Sequence, residues 1–407
     1  MAGTYLLVLP WSPDEVGGVN TFARNLTAEL RHQEWLQPVI AADDRNALLP
    51  QNETHFVRFC FTLVEDRSPA RLFASLCRLP AQLWRLYLLL QSRKVEVVNF
   101  HYPGLRPLGV SILKRLGLFR GRILLSFHGT DERPSRTVTE EWLRRRIVNA
   151  ADERIACSRS LAARLATNLG IAPSKVAVIY GGADPRIFRP RSMATTPRLG
   201  HLPSQYLVSV GAFKPRKGQM VLLRAFSLLV DRWPNLHLCV AGGSGPEFQR
   251  LSSVAAELGL AERVHLFANL HQHEVASLLA NALACVQPSL EEALGLAICE
   301  AGAAGIPVIA SNLSGHAELM EDGLTGKLFT VGDSRACAAA IVEVLERPYA
   351  ARSMAAALRD KVLSTFTWEA CANRYRALYD SRRPDARVIP SVPSPLFPRD
   401  EGPQFMA

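Results

Sequence analysis

Short apolar runs of strand-like composition alternate with amphipathic helical segments along this 407-residue chain. The run Tyr5–Pro10 is followed by a segment in which Phe22, Leu26 and Leu30 recur at helical spacing. Further strands are predicted at Val39–Ala42, Val95–Phe100, Ile123–Phe127 and Val176–Ile179, with a helix at Ser158–Asn168. Alternation of this kind is typical of parallel sheets that are covered by helices on both faces.

The alternation stops at residues 189–205, which are rich in Pro, Arg and Thr and lack periodicity, so we interpret this segment as a linker. It then starts again. Strands are predicted at Tyr206–Gly211, Leu236–Gly242, Val264–Phe267, Cys285–Gln287 and Pro307–Ser311. We therefore predict two doubly wound α/β domains, residues 1–190 and 200–365.

Three segments complete the predicted organisation. Residues 69–92 have helical composition, and Pro80 is expected to divide them into two helices because proline lacks the N–H that a helix interior requires. An amphipathic helix at 368–381 is predicted to complete the first domain. Residues 382–407 carry six of the 26 prolines and are predicted to form a disordered tail.

Composition limits the compartment and the partners. No stretch of 18 apolar residues is present and the N-terminus lacks the features of a signal peptide, so a cytoplasmic protein is expected. The eight cysteines form no C-x-x-C pair, so neither a zinc site nor a redox motif is indicated. The net charge is +10, and residues 67–122 hold eleven Lys or Arg beside one acid, Glu96. This basic segment is expected to attract anionic partners.

Ligands of open α/β sheets bind outside the carboxyl ends of the strands, so the loops after the predicted strands are candidate binding loops. Gly17 and Gly18 follow the first strand and open a helix, where glycine allows close approach and the helix N-terminus favours an anion. Such glycines also occur for structural reasons alone. His128 and Asp131 follow Ile123–Phe127; the alternative is an ordinary loop histidine and a capping aspartate.

Two loops of the second domain have a similar position. The loop Gly211–Gly218 carries Arg216 and Lys217 directly before a helix, which predicts a diphosphate site; the alternative is a solvated run of charge. Gly243 and Gly245 follow the next strand. They resemble half of a dinucleotide fingerprint, but G-x-G-x-x-G is absent, so they indicate only close approach to the backbone.

The most informative segment is QPSLEEALGLAICEAGAAG, residues 287–305. Glu292 is predicted to lie in the loop after a buried strand, a helix is predicted to start near Leu296, and Glu300 follows one turn later. Two carboxylates that flank free helix amides could hold sugar hydroxyls, a diphosphate and a ribose in sequence. The alternative is one surface glutamate and one glutamate that stabilises the helix.

These motifs, in this order, resemble glycosyltransferase family 4. The resemblance covers about residues 4–380 and includes the closing stretch PVIASNLSGHAELMEDGLTGKL at 307–328. It implies a GT-B fold, in which two Rossmann-like domains face each other across a cleft. It also implies sugar transfer with retention of configuration, a nucleotide sugar as co-substrate, no other cofactor and no essential metal.

The resemblance also implies roles for single residues. Arg216 and Lys217 would bind the donor diphosphate, Glu292 the sugar hydroxyls and Glu300 the ribose. Gly17 and Gly18 would let the first-domain loop close on the phosphates, and Gly243, Gly245 and the start of the helix at Leu296 would complete the donor site. His128 would contact the donor sugar at its reacting face, and Asp131 would contact the acceptor. The sequence departs from the family at Ala212, where an arginine is usual; Arg216 is expected to replace its charge.

The acceptor is expected to be a glycan or a lipid-linked precursor of a polysaccharide. Arg71, Arg78 and Arg85 recur every seven residues beside apolar side chains, and such a basic amphipathic segment can lie on an anionic membrane. A peripheral position on the inner face of the cytoplasmic membrane is therefore a further expectation. An ordinary surface helix is the alternative.

Other functions remain open at this stage. A GT-B nucleotide-sugar epimerase would turn over the donor without an acceptor, and a non-catalytic protein would only bind it. Nucleic-acid binding is not expected, because no aromatic-rich motif accompanies the basic charge. A nicotinamide-dependent dehydrogenase is disfavoured by the missing fingerprint.

Overall fold

A computed structural model describes residues 3–13, 15, 17–33, 35–43, 55–62, 69–134, 137–190, 199–200 and 202–380, without the side chains of 69–76. Most of the predicted linker, the predicted tail at 382–407, Arg67 and the side chain of Arg71 lie outside this description. No helix within it is long and apolar enough to cross a membrane.

The first sheet contains seven parallel strands in the order β3-β2-β1-β4-β5-β6-β7 among the described residues. Its strands are β1 Thr4–Leu9, β2 Gln37–Ala42, β3 Phe56–Arg58, β4 Val95–His101, β5 Arg122–Phe127, β6 Glu153–Ala156 and β7 Ala177–Val178. Its helices are α1 Gly18–His32, α2 Pro69–Ser92, α3 Leu108–Arg115, α4 Val138–Ala150 and α5 Arg159–Leu169. All six residues of β1 are buried, because helices cover both faces of a parallel sheet.

The second sheet contains six parallel strands in the order β10-β9-β8-β11-β12-β13, counted over the same residues. Its strands are β8 Tyr206–Val210, β9 His237–Gly242, β10 Val264–Ala268, β11 Ala284–Gln287, β12 Val308–Ser311 and β13 Lys327–Phe329. Its helices are α6 Gln219–Ser227, α7 Glu247–Glu257, α8 Gln272–Ala280, α9 Leu296–Ala304, α10 Ser314–Leu319, α11 Ser334–Glu346 and α12 Pro348–Thr365. The strand order of each sheet reverses once, between β1 and β4 and between β8 and β11, and such a switch point is where open sheets bind ligands.

The last helix, α13 (Trp368–Asp380), returns to the first sheet and packs against α1. Trp368 is 3% exposed and meets the ring of Phe22 edge-on, with centroids 5.2 Å apart. Tyr375 lies in the same buried cluster as Tyr5 of β1. The chain therefore passes from the first sheet to the second and then returns, through α13, to the first.

The prediction of a break at Pro80 is wrong, because α2 runs unbroken from Pro69 to Ser92 with Pro80 inside it. Proline removes one backbone hydrogen bond, and Pro80 lies at an exposed position of the helix. Leu86 and Leu90 pack in the core and hold the helix on the sheet. β3, β6 and β13 were not predicted, since runs of three or four residues are too short for a recognisable pattern.

We expect Trp368→Ala to destabilise the first domain by about 3 to 5 kcal/mol, because the substitution leaves a cavity between α13 and α1. Trp84→Ala is the matched control, since Trp84 is 60% exposed and its loss should cost less than about 1 kcal/mol. Guanidinium unfolding followed by circular dichroism measures both. Equal effects of the two substitutions would contradict the docking of α13.

Candidate functional site

The carboxyl edges of the two sheets face each other. A Cβ placed on Gly129, in the loop after β5, would lie 3.6 Å from the Cβ of Ala293 in the loop after β11. Leu296, the first residue of α9, packs against the buried cluster that contains Phe22 of α1. The loops that were predicted to form a cleft from separate domains therefore adjoin one another.

The side chain of Glu318 in α10 forms hydrogen bonds between the second domain and the first. Its carboxylate accepts hydrogen bonds from the backbone amides of Arg159 and Ser160, both 2.8 Å long, at the start of α5. The hydroxyl of Tyr180 donates to the same carboxylate at 3.0 Å. A carboxylate is stabilised at a helix N-terminus, where unpaired amides concentrate positive charge.

Lys217 and Glu292 form an ion pair in the centre of the second domain's edge. A short turn, Pro215–Lys217, ends at Gly218, whose φ of 65° lies in the left-handed region. A Cβ on Gly218 would lie 1.9 Å from the carbonyl oxygen of Pro288, so only glycine allows the loop after β8 to pack this closely on the loop after β11. This packing brings together two side chains that are 75 positions apart.

The charge of Glu292 is stabilised by its surroundings. Burial alone would raise the pKa of this carboxyl, but the nearby positive charge of Lys217, with contributions from His316 and Arg216, outweighs burial and holds the pKa below its ordinary value. Glu292 is therefore ionised at neutral pH. The side chain of Arg216 is exposed, and within the described residues no hydrogen bond from its guanidinium is recorded.

Glu300 has the opposite electrostatic environment. It lies in α9, which starts after Gly295, a residue with a φ of 107°. Burial raises the pKa of Glu300 to about 8, although Lys217 opposes the shift. The side chain is 9% exposed, so burial is a sufficient cause. Glu300 is thus largely protonated in the free protein at neutral pH.

The carboxylate of Asp131 forms hydrogen bonds within its own loop. Its carboxylate accepts hydrogen bonds from the amide of His128 at 3.0 Å and from the amide of Gly129 at 2.8 Å. Burial raises the pKa of Asp131 to about 7, and these backbone hydrogen bonds work against the increase. The bonds hold the loop that carries His128, whose ring packs at 4.9 Å from the ring of Phe22.

The predicted glycines fall into two groups. A Cβ on Gly17 or Gly18 would meet no atom within 4 Å, so the protein's own packing does not require glycine at either position. A Cβ on Gly245 would lie 2.0 Å from the carbonyl oxygen of Phe213, and the carbonyl of Gly243 accepts the amide of Phe213 at 3.1 Å. The second pair therefore has a structural reason, which is the packing of two loops.

Sequence reasoning missed three residues of the site. Asn99 and His101 of β4 are fully buried behind His128; two polar residues within an apolar strand were the available signal. His316 is 1% exposed, and its Nδ1–H donates to the carbonyl of Ser311 at 2.8 Å. Its Cδ2 would be 3.0 Å from a Cβ on Gly295, so it packs directly against the start of α9.

We expect the stability of the free protein to depend on pH through Glu300. Between pH 4.5 and 8 the unfolded chain releases this proton while the folded protein keeps it, so folding loses stability as the pH rises through this window. The side chain of Glu300→Gln cannot ionise. The melting temperature of this variant minus that of the parent should therefore increase from pH 5 to pH 8. Glu257→Gln, at an exposed position of α7, is the control and should give a constant difference. A constant difference for Glu300→Gln as well would refute the raised pKa.

Two family models match this chain. Glycosyltransferase Family 4 matches residues 16–186, and Glycosyl transferases group 1 matches residues 199–361. The chain is similar to a D-inositol 3-phosphate glycosyltransferase from Thermobispora bispora, 29% identical over 77% of each protein. It is also similar to a GDP-mannose-dependent alpha-(1-6)-phosphatidylinositol monomannoside mannosyltransferase from Mycolicibacterium smegmatis, 30% identical over 75% of this chain and 81% of that one.

Solved structures share the fold. A glycosyltransferase from Rickettsia africae superposes with a TM-score of 0.78 and 18% identity, covering 95% of this chain and 100% of that one. HepE from Anabaena, solved in complex with UDP and glucose, gives a TM-score of 0.71 and 19% identity over 92% and 98% of the two chains.

Proposed function

This chain belongs to glycosyltransferase family 4 and has the GT-B fold, and on that basis we propose that it transfers a hexose-type sugar from a nucleotide sugar to a glycan or lipid-linked acceptor. The observation that carries this proposal is the Lys217–Glu292 ion pair beside the start of α9. It combines a cation, an ionised carboxylate and free helix amides, which are the groups that a sugar diphosphate needs.

We assign the donor's parts to these groups by charge. The diphosphate lies against the amides at Leu296, with Lys217 and Arg216 as its cations, since a helix N-terminus and basic side chains favour phosphate. Glu292 then accepts hydrogen bonds from sugar hydroxyls, and Glu300 accepts those of the ribose. Gly17 and Gly18 leave room for the phosphates on the first-domain side.

The reaction we propose proceeds with retention of configuration and without a metal. The bond from the sugar to the diphosphate breaks with oxocarbenium-like character while Lys217, Arg216 and the helix amides stabilise the departing charge. The acceptor hydroxyl attacks from the same face, and its proton passes to the oxygen of the departing diphosphate. Electrostatic stabilisation of the leaving group is the main contribution of the protein. His128 contacts the sugar at its reacting face, and Asp131 holds the loop that carries it.

The donor is a nucleoside-diphosphate hexose. One relative is described as GDP-mannose-dependent, and one solved neighbour is a complex with UDP and glucose, so both nucleotide series belong in the test. We expect one of UDP-, GDP- or ADP-hexoses to raise the melting temperature, because a ligand that binds only the folded state stabilises it. With that donor, the release of nucleoside diphosphate then measures turnover.

Lys217→Ala should lower turnover of that donor by about 10²-fold, the usual cost of removing one group that stabilises a developing charge. Lys214→Ala is the matched control: Lys214 lies in the same loop, is exposed, and should leave the rate unchanged. Turnover of Lys217→Ala at the parent rate would remove Lys217 from the mechanism. Failure of all three nucleotide series to bind would contradict the transferase proposal itself.

We propose membrane contact through one surface of the first domain, which we call the α2 patch. Its apolar part comprises Trp84, Leu88, Leu116 and Leu118, which are 60%, 46%, 64% and 45% exposed. Gln91 Nε2 donates to the carbonyl of Leu118 at 3.3 Å, which makes the surfaces of α2 and of the turn after α3 continuous. The same two segments of the chain carry five exposed cations: Arg78, Arg85, Lys94, Arg115 and Arg120. Exposed apolar side chains together with cations suit an anionic bilayer.

The position of the α2 patch limits the kind of acceptor that could reach the cleft from a membrane. α2 and α3 both end where β4 and β5 begin, so the patch lies at the amino ends of the strands, opposite to the cleft. β4 has seven residues, which corresponds to about 23 Å. A sugar at the end of a lipid-linked glycan can extend over such a distance. We therefore favour an oligosaccharide acceptor over a sugar attached directly to a lipid headgroup.

Arg85→Glu/Arg120→Glu should weaken binding to vesicles that contain anionic lipid by on the order of tenfold or more, since each cation near such a surface contributes about 1 kcal/mol. Arg335→Glu/Arg352→Glu changes the net charge equally at exposed positions of the second domain and should bind like the parent. Co-sedimentation with anionic and with neutral vesicles measures both. Binding that does not respond to anionic lipid would refute the α2 patch as a membrane surface.

A further inference from the structure

A line of hydrogen-bonded polar side chains crosses the core of the first domain and ends at His128. Tyr375 Oη and Ser126 Oγ are 2.9 Å apart, Ser126 Oγ and Asn99 Oδ1 are 2.9 Å apart, and Asn99 Nδ2 and His101 Nε2 are 2.9 Å apart. The last link joins His101 Nδ1 to His128 Nε2 at 2.8 Å. The first four side chains are at most 1% exposed, so water does not compete for these bonds.

The donors and acceptors in this line follow from the orientation of the Asn99 amide, whose oxygen faces Ser126 and whose nitrogen faces Tyr5 and His101. Ser126 has one hydroxyl hydrogen and donates it to Asn99 Oδ1, which can only accept, so Tyr375 donates to Ser126. The amide nitrogen of Asn99 donates one hydrogen to the hydroxyl of Tyr5 at 2.7 Å and the other to His101 Nε2. His101 Nε2 is therefore an acceptor.

The acceptor role of His101 Nε2 also fixes which nitrogen donates in the hydrogen bond between the two imidazoles. Burial keeps the pKa of His101 well below its usual range and lowers the pKa of His128 to about 4, so both rings are neutral and each carries one N–H. Since His101 Nε2 accepts, the proton of His101 is on Nδ1, and it is donated to His128 Nε2. The proton of His128 must then be on its own Nδ1.

We propose that Asn99 and His101 are positioning residues that hold His128 in its Nδ1–H tautomer, so that it meets the donor sugar as a hydrogen-bond donor. This rests on the proposed place of His128 at the donor. Nδ1 of His128 has no hydrogen bond recorded to any described residue, and the side chain is half-buried at the cleft edge. An Nδ1–H group can donate to a sugar oxygen but cannot take a proton, so His128 orients the donor and does not act as a base.

The sheet makes the arrangement rigid. Asn99 and His101 are two positions apart in β4 and thus share one face, and Ser126 is paired in register with His101 on the neighbouring β5. The rings of His101 and His128 lie edge to edge and nearly coplanar, with centroids 5.0 Å apart and planes 19° apart, and the ring of Phe22 packs at 5.5 Å and 4.9 Å from them. Rotation of either imidazole would break these contacts together with the hydrogen bond.

Nitrogen NMR of the protein labelled with ¹⁵N-histidine tests the tautomer directly. Multiple-bond ¹H–¹⁵N spectra distinguish a protonated ring nitrogen from an unprotonated one, and the signals of His128 are those missing from His128→Gln. We expect Nδ1 protonated and Nε2 unprotonated in the unsubstituted protein. The reverse pattern would overturn the proposal, and this result needs no ligand and no activity.

Two variants then test which residue sets the tautomer. Asn99→Leu has a similar volume and removes the donor to His101 Nε2, so His128 should populate both tautomers and kcat should fall while affinity for the nucleoside diphosphate stays at the parent value. Tyr5→Phe removes the other partner of Asn99 and should keep the single Nδ1–H tautomer. A single Nδ1–H tautomer in folded Asn99→Leu would remove Asn99 from this role. Absence of donor binding together with the expected tautomer would instead count against the proposed function alone.

Discussion

The hydrogen bonds from the first amides of α5 to the carboxylate of Glu318 join one domain's helix N-terminus to the other domain's side chain. The arrangement of the cleft depends on this contact, because the groups of the candidate site come from two different sheets. Tyr180 and the packing of Leu296 near Phe22 support it. With the two carboxyl edges fixed in this way, the loop of His128 lies against the loop of Glu292.

The two walls of the cleft differ in charge. The second domain supplies a paired cation and carboxylate, Lys217 and Glu292, together with the start of α9. The first domain supplies His128, an imidazole that burial keeps neutral. A nucleotide sugar has the same division, since its diphosphate is charged and its hexose is not. Glu300 fits this division as well: it is largely protonated in the free protein, and hydroxyl donors would favour its ionised form.

Local patterns were sufficient for most of the fold. Continuous apolar runs such as β1 are buried on both faces, and their alternation with helices predicted both parallel sheets. The strand bounds differ from the predicted ones by one or two residues. The predicted break at Pro80 failed because packing of α2 on the sheet outweighs one lost hydrogen bond. Nothing local indicated β3, β6 or β13, which are defined by their pairing with neighbouring strands.

The candidate site, like the fold, has features that local patterns predicted and features that only tertiary packing decided. The sequence by itself determined which loops follow strands and which of them carry glycine, cations or carboxylates, because these are properties of neighbouring residues. Only the tertiary structure decided that Lys217 pairs with Glu292, that the carboxylate of Asp131 bonds within its own loop, and that His128 lies within hydrogen-bond distance of His101. Such pairings, burial and the resulting proton positions depend on distances between residues far apart in the chain, and those distances exist only after both sheets have formed and met.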